Sequence, residues 1–165
     1  MPDSIGPASI SRRSDSSMSG ADVAELLAFV CNDELYAVDL RSVHEIVIPP
    51  PVTLVPRSPA PVVGVCSVRG QLATVVDLRA VLGMPPIEIS RKNRILLARV
   101  GPTELVGLRV DEVRHVVRLA SSQIEYSGQT LGSEVSEGVR GIGRPSSGEV
   151  IVLLDLLAVL QKGCS

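Results

Sequence analysis

The sequence predicts an all-β protein with short helices, and three observations predict it. Val and Ile are abundant, 25 and 10 of 165 residues, against one Phe, two Tyr and no Trp; β-branched side chains fit a pleated, half-buried surface. Apolar runs of four to eight residues recur from Val23 onward, separated by Pro, Gly, Asn and Asp, the spacing of a small barrel or sandwich. The chain also repeats itself. Residues 70–82, GQLATVVDLRAVL, match 148–160, GEVIVLLDLLAVL, at six of thirteen positions, and 26–47 match 96–117 at eight of twenty-two. Two matches in the same order mark an internal duplication, and two related small barrels are its simplest architecture.

Residues 1–22 are rich in Ser, Gly and Pro with no apolar period, which predicts a disordered tail ahead of a folded unit over 23–165. Leu26–Cys31 and Leu35–Val38 read as the first strands. Segment 49–61, PPPVTLVPRSPAP, holds six of the twelve prolines, so it runs extended over the surface as a rigid connection; docking to a proline-recognising module is the weaker reading. Gly64 interrupts a strand and marks a bulge or a close backbone approach. Arg69-Gly70 is a hairpin turn in which Gly70 supplies positive φ. Arg69, a lone cation between apolar strands, calls for a carboxylate, and Glu45 is the candidate. Strands Gln71–Val76 and Val150–Leu154 end at Asp77 and Asp155. Each Asp is placed to cap a short helix, Leu78–Leu82 or Leu156–Gln161, with Gly83 and Gly163 as the respective stops. Ile95–Val100 and Leu105–Val110 are further strands, and the Gly/Ser-rich stretch 127–149 reads as a long loop.

Composition excludes several classes. No apolar run reaches the ~18 residues that span a bilayer, and the N-terminus carries no secretory h-region. A net charge of −2 gives no general attraction to nucleic acid, and three aromatic residues build no base-stacking platform. Cys31, Cys66 and Cys164 are odd in number and widely spaced, so neither a disulfide framework nor a metal site is expected and a reducing cytoplasm fits best.

Catalysis finds little support. His44 and His115 are the only histidines, and His44 reads as a solvated or satisfied surface residue rather than a general base. Cys66 lies in an apolar run and reads as a small buried hydrophobe rather than a nucleophile. Asp111-Glu112 is one acidic pair, too little for a metal. Phosphate-loop, zinc-protease, nucleophile-elbow and dinucleotide signatures are absent from the sequence. A small barrel enzyme or ligand-binding barrel would need Cys66, His44 or His115 in a deep polar pocket beside a carboxylate.

Four segments carry a family resemblance. Gly64-Val65-x-x-Val68-Arg69-Gly70 followed by Val75-Val76-Asp77-Leu78 resembles the signature of CheW-like domains. Leu35–Leu40 with Val43-His44-Glu45-Ile46, then Val110–Val113, then Val152–Leu156, resemble three further segments of that family in the same order. Cys66-Ser67-Val68-Arg69 departs from the commoner x-Asn-Leu-Arg, and Ala73-Thr74 stands where proline is frequent.

The resemblance implies two pseudo-symmetric five-stranded SH3-like β-barrels and a non-enzymatic adaptor without cofactor. Such an adaptor couples the cytoplasmic tip of a transmembrane chemoreceptor to the CheW-like regulatory domain of a histidine autokinase. It would be cytoplasmic, recruited to receptor arrays, not inserted in the membrane, and monomeric when free. Carried over by position, Val43 and Ile46 would be apolar contacts in a receptor groove, Gly64 would keep that groove open, Glu45 and Arg69 would fix its wall, and Gly70 would be structural. A scaffold serving a different receptor, in motility or gene-expression control, is the alternative reading.

Overall fold

The computed structural model describes residues 22–126 and 138–165. Strand β1 (Val23–Cys31) turns through Asn32 and Asp33 into β2 (Glu34–Asp39). Both turn residues take positive φ, 54° and 63°, the backbone that matches a two-residue hairpin to strand twist. A single 3-10 turn, Leu40–Ser42, leads to the short β3 (Glu45–Val47). β4 (Val62–Val68) and β5 (Gln71–Asp77) form a second hairpin, turning through Arg69 at φ 51° and Gly70 at 79°. α1 (Leu78–Val81) is a single turn capped by Asp77, and Gly83 ends it at φ 75°. β6 (Arg94–Arg99), β7 (Leu105–Val110), β8 (Glu112–Ala120), β9 (Ile124–Tyr126), β10 (Val139–Gly143), β11 (Ile151–Leu154) and α2 (Leu156–Cys164) follow.

The strands form two sheets, ordered β8-β1-β2-β11-β10-β9 and β3-β6-β7-β5-β4. Exchanging β8, β1, β2, β11 and β10 for β3, β6, β7, β5 and β4 converts the first order into the second, leaving β9 over. The register obeys the same exchange. In the parallel pair β11·β2, Leu154 faces Val38; in β5·β7, Val76 faces Leu108. The duplication is therefore a pseudo-two-fold of the fold, and it interleaves: each sheet joins a hairpin of one repeat to a hairpin of the other. The sheets are open rather than hydrogen-bonded into closed barrels. β9 has a reduced counterpart in the proline segment, where Thr53 alone bridges β4, its N–H and C=O both 2.8 Å from their Val65 partners.

Both faces of each sheet are buried in places, which explains the near-continuous apolar strands. One face closes a small core of its own. In the β3–β7 sheet that core is Cys66, Ala73, Val75, Ile95, Leu97 and Leu105; in the other it is Leu26, Ala37, Leu119, Ile151 and Leu153. The opposite faces meet in the central cluster with both helices, including Leu27, Phe29, Val38, Val76, Leu78, Leu96, Leu108, Leu154, Leu156 and Leu160. Each fully buried Leu, Ile or Phe contributes about 1.5–3 kcal/mol, so the central cluster, the largest of the three, dominates cohesion between the halves.

Three sequence expectations change. Gly163 does not end the second helix: α2 runs on to Cys164, and a Cβ at Gly163 would lie 2.4 Å from Val76 Cγ1, so this glycine permits close helix-to-sheet packing. Residues 127–149 are not one loop, because β10 occupies Val139–Gly143; residues 127–137 lie outside the described residues, as do residues 1–21 of the tail read over 1–22. The alignment of 26–47 with 96–117 is one residue out of step in its leading strand. Leu26 belongs to its sheet's small core as Ile95 does, and Leu27 to the central cluster as Leu96 does, because the β6–β7 loop is one residue longer than the alignment assumed.

Candidate functional site

The residues expected to act together lie around the edge of the β3–β7 sheet. β3 is its outer strand and pairs only with β6, Glu45 opposite Leu97 and Ile46 opposite Leu96. His44 extends the ladder by donating its N–H to Leu97 O at 2.7 Å. Side chains alternate across the strand. Val47 packs on the small core of the sheet, while Ile46 on the other face is 40% exposed and Ile48, just beyond, 71%.

Glu45 is held by the β4–β5 turn. Arg69 places Nη1 and Nη2 at 2.7 and 2.6 Å from Glu45 Oε2. The positive-φ pair Arg69-Gly70 aims the guanidinium back over the sheet. The arginine side chain is 71% exposed, so the pair contributes about 0–1 kcal/mol to stability. Its role is geometric, tying a three-residue edge strand to a hairpin tip distant in sequence.

Two expected groove residues sit differently from the resemblance. Gly64 does not border open space. It lies at a β-bulge in β4 with φ 154°, and a Cβ there would fall 2.2 Å from Thr53 O and 2.8 Å from Val52 Cγ1. Its lack of a side chain seats the proline segment against the sheet. Val43, at the end of the 3-10 turn, is partly buried and packs on the central cluster; it supports β3 from beneath. The proline segment presents Leu54, 76% exposed, and Val55, 40%.

A polar junction that the sequence reading missed lies on the same half. Arg79 is 7% exposed. It donates from Nε and Nη2 to Asp111 Oδ1 and Oδ2 at 3.1 and 2.8 Å, and from Nη1 to Pro85 O at 2.9 Å. Asn32 N–H donates to Asp111 Oδ2 at 2.9 Å, Asn93 Nδ2 donates to Asp111 O at 3.1 Å, and Arg109 pairs with Asp77 at 3.2 Å. Burial alone would raise the Asp111 carboxyl, but the hydrogen bonds from Arg79 and Asn32 and the charges of Arg79 and Arg109 hold it below the usual carboxylate range. The available signal was internal: Arg79 stands where the second repeat has Leu157.

The family model for the CheW-like domain matches residues 25–164. The chain belongs to the CheW-like domain family. It is 34% identical over 138 residues to a probable chemotaxis protein CheW of Rhizobium etli, covering 84% of this chain and 88% of the relative. It is 28% identical over 141 residues to the chemotaxis protein CheW of Bacillus subtilis, covering 86% and 89%. Among solved structures it resembles the scaffolding protein TtCheW of Thermoanaerobacter tengcongensis, with a TM-score of 0.71, 26% identity and coverage of 80% of this chain and 88% of that one.

Within this CheW-like domain the candidate catalytic side chains are not brought together. Cys66 is 3% exposed and burial pushes its thiol up; Cys31 is fully buried and pushed up to about 12 by burial and then by Asp111. Such thiols remain protonated and unreactive at neutral pH. His115 is exposed on β8, and His44 Nε2 lies 3.5 Å from Arg99. Among the described residues no cluster of three His, Cys, Asp or Glu could hold a metal, and no helix is long and apolar enough to cross a membrane. Asp77 and Asp155 are caps, accepting from Arg79 N at 3.2 Å and Ala158 N at 3.1 Å.

Proposed function

We propose that this chain is a chemotaxis coupling protein, a scaffold that joins chemoreceptors to a histidine autokinase and performs no chemistry of its own. The membership of residues 25–164 in the CheW-like family carries this reading. The receptor side is the β3 edge. Ile46 and Ile48 offer the exposed apolar contact that an amphipathic receptor helix needs, Glu45 and Arg69 fix the strand that bears them, and Val43 backs it. Gly64 and Gly70 act by shaping the backbone. The kinase's own CheW-like regulatory domain is the second partner, and the complex gathers at the cytoplasmic face of receptor arrays without inserting in the membrane.

Calorimetric titration of the full chain with the regulatory domain of the histidine kinase from its own genome tests the kinase half. Near-stoichiometric binding at micromolar affinity is expected. A folded chain that does not bind would redirect the reading to a divergent signalling system. For the receptor half, Ile46→Asp is expected to abolish receptor-dependent kinase stimulation while leaving kinase binding intact, measured by kinase autophosphorylation with receptor vesicles.

A further inference from the structure

Arginines carried by the strands are mostly neutralised within the chain. Arg94 donates to Arg91 O and Asn93 O at 2.8 and 2.7 Å. Arg109 pairs with Asp77, Arg114 with Glu112 and Arg118 with Glu25. The pseudo-two-fold gives the Asp77–Arg79–Arg109–Asp111 junction a counterpart at Asp155, Leu157, Asp39 and Arg41, and there Arg41 pairs with Asp39 at 2.9 Å. Two strand arginines have no such partner among the described residues: Arg140 on β10, whose field reaches Asp39, and Arg99, the last residue of β6.

Arg99 is exposed and stands beside the β3 edge. Glu45 faces Leu97, and Arg99 lies two residues past Leu97, on the same face of the sheet and at the end of β3 away from Ile48. Its one polar contact among the described residues is with His44, Nη2 to Nε2 at 3.5 Å. A guanidinium only donates, so the imidazole accepts there and offers the arginine no compensating charge. Glu45 is already occupied, with both Arg69 Nη groups converging on its Oε2. Glu104, the acid nearest to Arg99 in sequence, instead lines a hollow with Val100, Leu160 and Cys164. The edge that bears Ile46 and Ile48 therefore holds two guanidiniums for one carboxylate. The fold itself does not call for this cation. Leu26 and Ile95 are equivalent, which places Val30 at the position of Arg99 on the other half.

We propose that Arg99 is a specificity-determining residue that binds a carboxylate of the receptor helix docked on β3. This rests on the reading of β3 as the receptor edge. Positions along the edge run Arg99, Ile46, Ile48, at about 3.3 Å per strand residue against about 1.5 Å per helix residue. The partner helix therefore carries an Asp or Glu one to two turns from the apolar residue that meets Ile46, on the side away from the one that meets Ile48. Charge-assisted hydrogen bonds from an exposed guanidinium weaken as salt screens them, whereas the isoleucine contacts do not. A helix of similar hydropathy without that carboxylate would leave Arg99 partly desolvated and unpaired, which is how the edge discriminates among partners.

Kinase autophosphorylation with vesicles holding one chemoreceptor encoded in the same genome, titrated with the full chain at about 0.05 M and about 0.3 M salt, tests this. Arg99→Gln adds no charge beside Glu45. It is expected to raise the half-saturating concentration about tenfold at low salt and to flatten its rise with salt, while Arg99→Lys keeps most of both. When the Asp and Glu residues of the receptor tip are changed one at a time to Lys, one change is expected to restore coupling to Arg99→Glu. Circular dichroism melts matching the unaltered chain show that the variants are folded. If Ile46→Asp abolishes coupling but Arg99→Gln alters neither the half-saturating concentration nor its salt dependence, the proposal is overturned and the receptor edge stands. Equal losses in Arg99→Gln and Arg99→Lys, unrestored by any receptor change, overturn it as well, because the side chain then serves packing. If Ile46→Asp also has no effect, the edge itself is misassigned and the proposal falls with it.

Discussion

The two polar junctions of this molecule occupy equivalent places on equivalent backbones and do opposite things. Val76 faces Leu108 next to one, and Leu154 faces Val38 next to the other. Yet the first carries Arg79 on its helix and encloses it with Asp111, while the second carries Leu157 and leaves Arg41 with a side chain 91% exposed. A duplicated fold keeps its register because hydrogen-bond ladders and core faces constrain every residue of the strands. Residues at the strand ends are freer, so one copy became a structural lock and the other an accessible surface. The proline segment and β9 diverge in the same manner. Both cross a bulge glycine, Gly64 or Gly141, whose Cβ would strike a backbone oxygen, Thr53 O at 2.2 Å or Glu125 O at 2.3 Å, but one crossing is a full strand and the other a single bridge.

The comparison is sharpest at the buried arginine. Arg79→Leu copies the second half's residue into the first and leaves Asp111 buried without its partner. A loss of about 3 kcal/mol is expected from breaking such a pair, against less than about 0.5 kcal/mol for Arg41→Ala at the exposed counterpart. Urea unfolding measures both, and equal losses would end the distinction between lock and surface. Next in size, Gly64→Ala and Gly141→Ala should each destabilise by about 2 kcal/mol, because neither backbone oxygen is free to yield. Gly70→Ala, with positive φ but open space around it, should cost about 1 kcal/mol. A Gly64 variant as mild as Gly70→Ala would show that the proline segment is not fixed at Thr53.

Acid separates the halves more gently. Folding lowers the proton affinity of Asp111, so below the ordinary carboxylate range, about pH 4, the unfolded chain binds more protons and stability falls with pH. Asp39 is also lowered, chiefly by its hydrogen bond from Arg41. Asp111→Asn should flatten the acid limb of a stability-against-pH curve more than Asp39→Asn does, because solvent screens the exposed pair. Also small, Glu45→Ala or Arg69→Ala should lower the unfolding free energy by no more than about 1 kcal/mol while weakening receptor coupling. A stability loss larger than that would make the clasp structural rather than functional.

Much of this was legible in the sequence because it was written in local signals. The Arg69-Gly70 turn, the Asp77 and Asp155 caps and the duplicated order all follow from residues a few positions apart or from self-similarity, and the Glu45–Arg69 pairing, 24 positions apart, from a lone cation between apolar strands that calls for a carboxylate. Gly163 misled because a glycine near a helix end has two physical uses, capping and close packing, and only the position of Val76 decides between them. The Arg79–Asp111 lock was hidden because its members are 32 residues apart and each alone looks like a surface charge. Gly64 was recognised as a bulge or close approach, but what approaches is the Thr53 backbone, which no periodicity reveals. The interleaving of the halves was equally invisible, since a repeat reports that two units are alike and not which strands they exchange.

That interleaving governs how the chain reaches its final form. Ala37 finds its parallel partner at Leu153, more than a hundred positions later, so during synthesis the first hairpin waits with one ladder edge bare until almost the whole chain has emerged. Nonlocal parallel pairing of this kind is slow to nucleate, and an intermediate with an unpaired strand is prone to joining neighbours. Cutting the chain between its repeats would yield two fragments, each missing strands from both sheets, rather than two small domains.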